Sequence, residues 1–173
     1  MVDGDIVLRR GCGITSRMVM AADGGSGYSH VGIVAIVEGI PMVVHAVPDE
    51  PDHPEDVDRV KIEPIERFFS QANAEAGRIL RQHDRTASAK AAKAAMRICK
   101  QRTLFDHDYN EDDTARMYCS ELVAHAYRCA GKELPGTPRH SISLPGLKLK
   151  SVIFPSDFMH IKSVATVSAF AKR

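Results

Sequence analysis

Residues 30–47 read HVGIVAIV-EG-IPMVVHAV, two apolar and largely β-branched runs on either side of a short turn. Two such runs joined by a glycine-containing pair predict an antiparallel hairpin that is buried on both faces. Pro41, which lacks a backbone N–H, indicates an edge-like or bulged start to the second strand. The hairpin therefore predicts the centre of a sheet, around which the rest of the chain is arranged.

Each strand of this hairpin carries one histidine. A two-residue turn pairs Val37 with Ile40 and places Gly32 opposite His45. His30 then lies on the same face as His45, as a diagonal neighbour about 7 Å away at the backbone. Because Gly32 has no side chain to separate them, His45 can hydrogen-bond the ring of His30 and fix its tautomer. A slip of one residue would place the two rings on opposite faces.

The remaining pattern predicts a chain that mixes strands and helices without repeats. Three segments, 49–58, 103–116 and 136–146, read as loops, and a helix-start signature lies in 154–158. The predicted strands are 4–9, 60–63, 77–81 and 161–170, and the predicted helices are 14–22, 64–69, 88–101 with Ser88 as N-cap, and 120–130 stopped by Gly131.

Composition favours one soluble folded domain over residues 1–173. Of 173 residues, 44% are hydrophobic and 26% charged, and the net charge is +1. Without a basic field, without tryptophan and with 6% aromatics, nucleic acid is an unexpected partner. No run approaches the ~18 apolar residues of a membrane span. The acidic start lacks a signal-peptide core, which predicts cytoplasmic synthesis and leaves export by a signal-independent route open.

One of the four cysteines stands out by its position. A disulfide framework is not expected in a chain of this kind, and without a CxxC pair neither is a structural zinc site, so we expect no metal and no cofactor. Cys119 directly precedes a helix, whose free N–H groups stabilise a thiolate and can bind an oxyanion. Cys99 and Cys129 read as small core residues. Cys12, in a glycine-rich loop, is the second choice for a reactive thiol.

A nucleophilic cysteine needs a base, and the base needs an orienting partner. Among eight histidines, His30 is the predicted base, because it lies where a loop meets the sheet. His45 is the predicted orienting residue. His107 lies between two aspartates, a pattern that is usual in solvated loops and less often a metal site. His125 follows Cys119 by six residues on the predicted helix, which turns it away from the thiol.

Several stretches together resemble one known family. They are GDIV at 4–7, SHVGIV at 29–34, VVHA at 43–46, YCSELV at 118–123 and FPSDF at 154–158. In this order they resemble the circularly permuted branch of the NlpC-type papain-fold superfamily, the YiiX-like hydrolases. The histidine-first order marks the permutation. The His-His-Cys set is also similar to relatives of lecithin retinol acyltransferase.

The resemblance implies an α+β permuted papain-like fold, with an antiparallel sheet packed against the nucleophile helix. It also implies Cys119 as nucleophile, His30 as general base and His45 as the third polar residue. Two departures stand out: Tyr118-Cys119-Ser120-Glu121 replaces the Asp-Cys-Ser-Gly of unpermuted members, and His45 replaces a common glutamate.

The expected activity is cysteine-dependent cleavage of an amide, such as a cell-wall peptide, through an acyl-thioester. Delivery of the protein as an antibacterial effector would fit such a substrate. A phospholipase or acyltransferase acting on lipid esters is the first alternative, and a non-catalytic binding module on the same fold is the second. Tyr118 is expected to line the pocket or assist the oxyanion. With it, Glu121 and Tyr28 are the candidate substrate-binding residues.

Overall fold

A computed structural model describes residues 1–113, 115–134, 139–144 and 147–172. Within these ranges the chain forms strands, α-helices and one 3-10 helix, Pro155–His160. The strands are β1 (Ile6–Arg10), β2 (His30–Val37), β3 (Ile40–Val47), β4 (Arg59–Pro64), β5 (Ala76–Gln82), β6 (Leu104–Phe105), β7 (Arg116–Met117), β8 (His140–Leu144), β9 (Leu147–Val152) and β10 (Val164–Ala171), and the helices are α1 (Ile14–Ala22), α2 (Ile65–Phe68), α3 (Arg85–Lys100) and α4 (Cys119–Cys129).

Eight strands form one sheet in the order β10-β5-β1-β2-β3-β4-β6-β7. Every neighbouring pair is antiparallel except β6 and β7. Strands β8 and β9 form a separate antiparallel pair. The sheet is therefore predominantly antiparallel, as the sequence predicts.

The two faces of the sheet bury different side chains because successive residues of a strand point to opposite sides. On one face, α3 and α4 pack against β2 and β3 over a large core that includes Val31 and Ile33. On the other face, α2 covers a smaller core that includes Val34, Val43 and Phe68. The central hairpin is therefore covered on both faces, which explains its continuous apolar runs.

The predicted register of the hairpin is confirmed, since Val37 pairs with Ile40. Glu38 and Gly39 both have positive φ, 51° and 81°, as a two-residue turn of the primed type requires. Pro41 lies in an interior strand, but β3 meets β4 only from Met42 onward. The start of β3 is therefore an edge at Pro41, as its missing N–H indicates.

Several sequence-based boundaries differ from the structure, and three of these differences have a clear local reason. Helix α3 begins earlier than expected, because Asp84 rather than Ser88 is its N-cap and accepts the N–H of Ala87. The segment 103–116 contains β6 and the first residue of β7, two-residue strands too short for a periodic signal. The segment 136–146, expected as a loop, contains β8, although residues 136–138, 145 and 146 lie outside the described ranges.

Helix α4 begins at Cys119, one residue before the predicted start, with Tyr118 as N-cap. It ends before Gly131, whose φ of 75° is the left-handed conformation typical of a residue that follows a helix. The first turn of α4 thus faces the start of β2. No helix in the described part of the chain combines the length and apolar character needed to cross a bilayer.

Candidate active site

A cavity of about 700 Å³ lies where the start of α4 approaches the start of β2. Both Cys119 and His30 line it. Most of its wall is apolar, with side chains from α1 and from the segment that leads into the 3-10 helix. Arg9 and Glu50 add charged groups to the same wall. The cavity therefore combines a thiol, an imidazole and an ion pair with a large apolar surface.

Cys119 occupies the first position of α4 and is only partly exposed. The Ser120 hydroxyl lies 3.9 Å from its Sγ. Burial raises the pKa of the Cys119 thiol, although this hydroxyl and the N–H groups of Val31, Ser120 and Cys119 act to lower it. The helix-start effect expected from the sequence is present, but desolvation outweighs it. In the free protein burial therefore favours the neutral thiol over the thiolate that the helix start alone would favour.

His30 and His45 are in direct contact, as the hairpin register predicts. His30 Nε2 lies 2.9 Å from His45 Nδ1, and both rings are buried. An added Cβ at Gly32 would stand 3.2 Å from the Cβ of His45, so a larger residue there would crowd the pair. Since Nε2 of His30 is engaged by His45, Nδ1 is the ring nitrogen left to meet a thiol proton.

Both imidazoles are neutral at neutral pH. Burial is the main cause that lowers the pKa of His30 and of His45 well below the usual value. The positive charges of Arg9 and Lys61 lower the pKa of both rings further. A neutral imidazole carries one N–H and one lone pair, so the contacts of each ring decide its tautomer.

The carboxyl group of Glu63, on the neighbouring strand β4, favours a proton on the ring nitrogen of His45 that faces it. Its Oε1 lies 3.3 Å from Nε2 of His45, within ion-pair range although not aligned as a hydrogen bond. A proton on Nε2 of His45 leaves Nδ1 as acceptor for the N–H of His30 Nε2. His30 Nδ1 then carries a lone pair, which is the form that a general base requires.

Sequence reasoning missed Glu63 and Arg9. The signal for Glu63 was present, because Lys61 and Glu63 alternate with apolar residues on β4, and both are 2% exposed. Two buried charges on one face of a strand indicate partners on the adjacent strands. Arg9 is also 2% exposed and pairs in register with His30, a relation that depends on long-range strand pairing.

The three candidate substrate-binding residues occupy different positions. Tyr118 lines the cavity, and its hydroxyl accepts the N–H of Ile153 at 3.0 Å. Tyr28 is a buried core residue whose hydroxyl accepts from Arg78 Nε at 3.1 Å, and it does not line this cavity. Glu121 does not line the cavity either. Of these three residues, only Tyr118 lines the cavity that contains Cys119 and His30.

Glu121 has a structural position in α4. It is the third residue of the helix, and its carboxyl accepts the backbone N–H of Tyr118, the N-cap. This is one half of a capping box. Burial raises the pKa of Glu121 to about 8, so a protonated carboxyl predominates at neutral pH. Glu121 thus secures the start of the helix that presents Cys119.

Of the other candidates from the sequence, Cys12 lies near the Cys119–His30 pair and His107 does not. Cys12 lines the same cavity. His107 forms an exposed pair with Asp58 at 3.1 Å. In the part of the chain that the structure describes, no group of three or more His, Cys, Asp or Glu residues is placed to hold a metal ion.

Comparison with known proteins yields one family and one fold. The family model described as permuted papain-like amidase enzyme, YaeF/YiiX, C92 family, matches residues 1–137. The chain is similar to a crystal structure from Escherichia coli O157:H7 titled metalloprotein yiiX, with a TM-score of 0.79, 21% identity and 98% of both chains covered. No curated protein sequence matches. The similarity confirms the permuted papain-like α+β fold, but the residues described here offer no counterpart to the metal in that title.

Proposed function

Because the chain belongs to the YaeF/YiiX family of permuted papain-like amidases, family C92, and is thus a cysteine hydrolase of amidase type, we propose that it cleaves a peptide-like amide, such as one of the cell wall, through an acyl-thioester on Cys119. The family assignment confirms the resemblance drawn from the motifs. The family assignment does not specify the substrate or the role of each residue, and we propose both.

The reaction starts from a neutral pair. His30 Nδ1 takes the thiol proton of Cys119 as Sγ attacks the amide carbonyl, so the thiolate forms only as the carbon–sulfur bond forms. The backbone N–H of Cys119, in the first turn of α4, donates to the oxyanion. His30, now an imidazolium, is stabilised through His45 by the carboxylate of Glu63.

The second half returns the proton. Imidazolium His30 protonates the leaving amine nitrogen as the carbon–nitrogen bond breaks, which leaves the acyl group on Sγ. Water then attacks the thioester while His30 Nδ1 accepts one of its protons, and the carboxylic acid leaves as the thiol re-forms. Tyr118, held by Ile153, lines the cavity in which the acyl group lies.

One observation carries this proposal: the 2.9 Å contact between His30 Nε2 and His45 Nδ1. A buried histidine on a strand end could serve only packing. A buried histidine whose one nitrogen is engaged by a second histidine, and which lines a cavity together with a cysteine, supports a role as the base of a nucleophilic thiol.

Trapping the acyl-enzyme tests the proposal. Wild type and four variants, Cys119→Ala, His30→Ala, Cys12→Ala and Cys129→Ala, are incubated with N-acyl amide substrates, and intact mass and released amine are measured. We expect an acyl adduct on Cys119, cleaved by hydroxylamine, in wild type and in the two control variants. We expect no adduct in Cys119→Ala and a loss of turnover of roughly 100-fold or more in His30→Ala.

The two control variants show which cysteine carries the acyl adduct. Cys12→Ala removes the other cysteine of the same cavity, and Cys129→Ala removes an exposed cysteine elsewhere. An adduct that persists in Cys119→Ala and disappears in Cys12→Ala would contradict the proposed nucleophile. If no acyl adduct forms and no amine or alcohol is released from amide and ester substrates, the protein would instead be a non-catalytic binding module on this fold.

A second candidate function is the hydrolysis or transfer of a lipid acyl ester. The apolar wall of the cavity favours it, with Met18 and Val19 of α1 on one side and Ile153 and Phe154 on the other. The chemistry on Cys119 is the same, with an alcohol as leaving group. Release of fatty acid from phospholipid, with no amine released from matched amides, would favour this candidate over the amidase.

A further inference from the structure

A buried arginine in the cavity wall has an unfilled hydrogen-bonding edge. Arg9 is 2% exposed and lines the cavity. Its Nη1 donates to the carbonyl of Phe68 at 3.1 Å, and its guanidinium lies 4.6 Å from the centre of the Phe68 ring. Its Nη2 donates to one carboxylate oxygen of Glu50, whereas Nε, also buried, has no acceptor.

Two other arginines, Arg81 and Arg59, show what a filled edge looks like. Arg81 uses Nε and Nη2 together on the two oxygens of Asp5, at 2.7 and 2.6 Å. Arg59 does the same on Asp56, at 3.0 and 3.1 Å. A carboxylate or phosphate matches this two-donor edge. Glu50 accepts from only one of the two donors of this edge on Arg9. An anion that can place two oxygens against both donors would therefore fit Arg9 better than Glu50 does.

Glu50 can be exchanged more readily than the rest of the cluster. Its side chain is 27% exposed, against 3% for Arg9, and it lies on the segment between β3 and β4. Lys61 also binds the Glu50 carbonyl oxygen, so the backbone there stays anchored while the carboxylate moves. Burial raises the pKa of Glu50, which means that its charged form gains hydration on leaving.

The charges around Arg9 balance when Glu50 is in place. The cations are Arg9, Lys61 and the half-exposed Arg67, the carboxylates that pair with them are Glu50, Glu63 and Asp52, and the two histidines are neutral. Loss of Glu50 from Arg9 would leave an excess positive charge in a buried site, which is costly unless another anion replaces it. An anionic substrate group that displaces Glu50 keeps the balance.

We propose that Arg9 forms a subsite for an anionic group of the substrate, a carboxylate or a phosphate, which Glu50 occupies in the free protein. The inference deepens the proposed function, since it names a chemical feature of the molecule that reacts at Cys119. A carboxylate corresponds to an acylated amino acid or peptide, and a phosphate corresponds to a phospholipid. The two sources share the chemistry that Arg9 recognises.

Calorimetric binding on the Cys119→Ala variant tests the subsite without any turnover. The probes are octanoate, octyl phosphate and the neutral isostere octanamide. We expect at least one anion to bind roughly tenfold or more tightly than octanamide, and the tighter anion identifies the source. Glu50→Gln, added to Cys119→Ala, is expected to tighten anion binding severalfold, because the competing charge is gone.

Matched arginine variants locate the effect. Arg9→Gln is expected to abolish the preference for the anion, whereas Arg10→Gln, one residue along and bound instead to the Gly27 carbonyl, is expected to keep it. Equal binding of all three probes, or weaker anion binding in Glu50→Gln, would overturn the subsite. The Glu50→Gln result decides the matter even if Arg9→Gln does not fold.

The outcome is separable from that of the proposed reaction. Anion binding to Cys119→Ala with no turnover by wild type would contradict the proposed reaction and support the anion subsite. Turnover by wild type with no preference for either anion would support the reaction and contradict the subsite.

Discussion

His45 Nδ1 lies 2.9 Å from Nε2 of His30, across two neighbouring strands. This contact leaves Nδ1 of His30 for chemistry, and the carboxylate of Glu63, 3.3 Å from Nε2 of His45, favours a proton on that nitrogen. A catalytic histidine is thus oriented by a second histidine and, through it, by a carboxylate.

Glu63 should act on the reaction through His45 rather than by touching substrate. Glu63→Gln is expected to lower kcat by roughly 10- to 100-fold, part of the effect of a general base, while KM stays nearly unchanged. It should also move the acid limb of the pH profile, because the imidazolium of His30 loses its distant carboxylate. A purely structural role would lower the amount of folded protein without moving that limb.

Alkylation of Cys119 by iodoacetamide should rise with pH without a plateau at low pH. Burial raises the pKa of its thiol and lowers that of His30, so the free protein holds a neutral pair. The apparent pKa of alkylation is therefore expected above the usual value of about 8.5. The measurement is the rate against pH by peptide mass spectrometry, with exposed Cys129 as internal comparison. A rapid phase persisting near pH 5 would instead show an ion pair.

The contribution of His30 and His45 to stability should fall as the pH drops below about 6.5. His30 and His45 are neutral in the native state because their pKa values are lowered, whereas the unfolded chain binds a proton at each. The unfolded state then binds more protons, so acid favours unfolding by up to ~1.4 kcal/mol per pH unit for each histidine. Urea denaturation at several pH values measures this slope.

A pair of histidine variants serves as the control for that slope. His45→Gln should reduce it by about one proton, whereas His53→Gln should leave it unchanged, since the side chain of His53 is 61% exposed. Equal slopes in all three proteins would contradict the assignment of His45 as neutral in the native state.

Glu121→Gln should stabilise the protein at alkaline pH. The pKa of Glu121 is raised to about 8, so the native state holds a proton that the unfolded state releases above about pH 4.3. The contribution of Glu121 to stability therefore declines as the pH rises between these values, opposite in sign to the contribution of the two histidines. The variant keeps the oxygen that accepts from Tyr118 and loses the charge. We expect it to gain on the order of 1–3 kcal/mol at pH 9, with little gain at pH 4, by urea denaturation.

Gly32→Ala should destabilise the hairpin at the histidine pair. An added Cβ would lie 2.5 Å from Cγ1 of Val43 and 3.2 Å from the Cβ of His45. Overpacking of this kind typically costs about 1–3 kcal/mol, and turnover should fall with it because His45 must shift. Gly13→Ala is the matched control, since nothing lies within 4 Å of the Cβ it would add. Equal thermal stability of the two variants would contradict the close approach.

Local sequence rules predicted the hairpin and the helix of Cys119, because a two-residue turn and an abrupt helix start are set by neighbouring residues. The register of the hairpin then placed His30 beside His45. Burial of the thiol could not be predicted in this way, since it depends on distant segments that close the cavity. Arg9 was missed for the same reason, because it gains its partners through strand pairing, whereas the alternation on β4 was a local signal for Glu63.

The order of the site residues along the chain has a consequence for synthesis. A ribosome adds about 5–20 residues per second and releases the N-terminal part first. The β2–β3 hairpin, with its two histidines and its short turn, can therefore fold before Cys119 has been made. The proposed base is therefore made early and the proposed nucleophile late, so the Cys119–His30 pair cannot form until α4 has been made. Only after that does β10 pair with β5 and complete the far edge of the sheet.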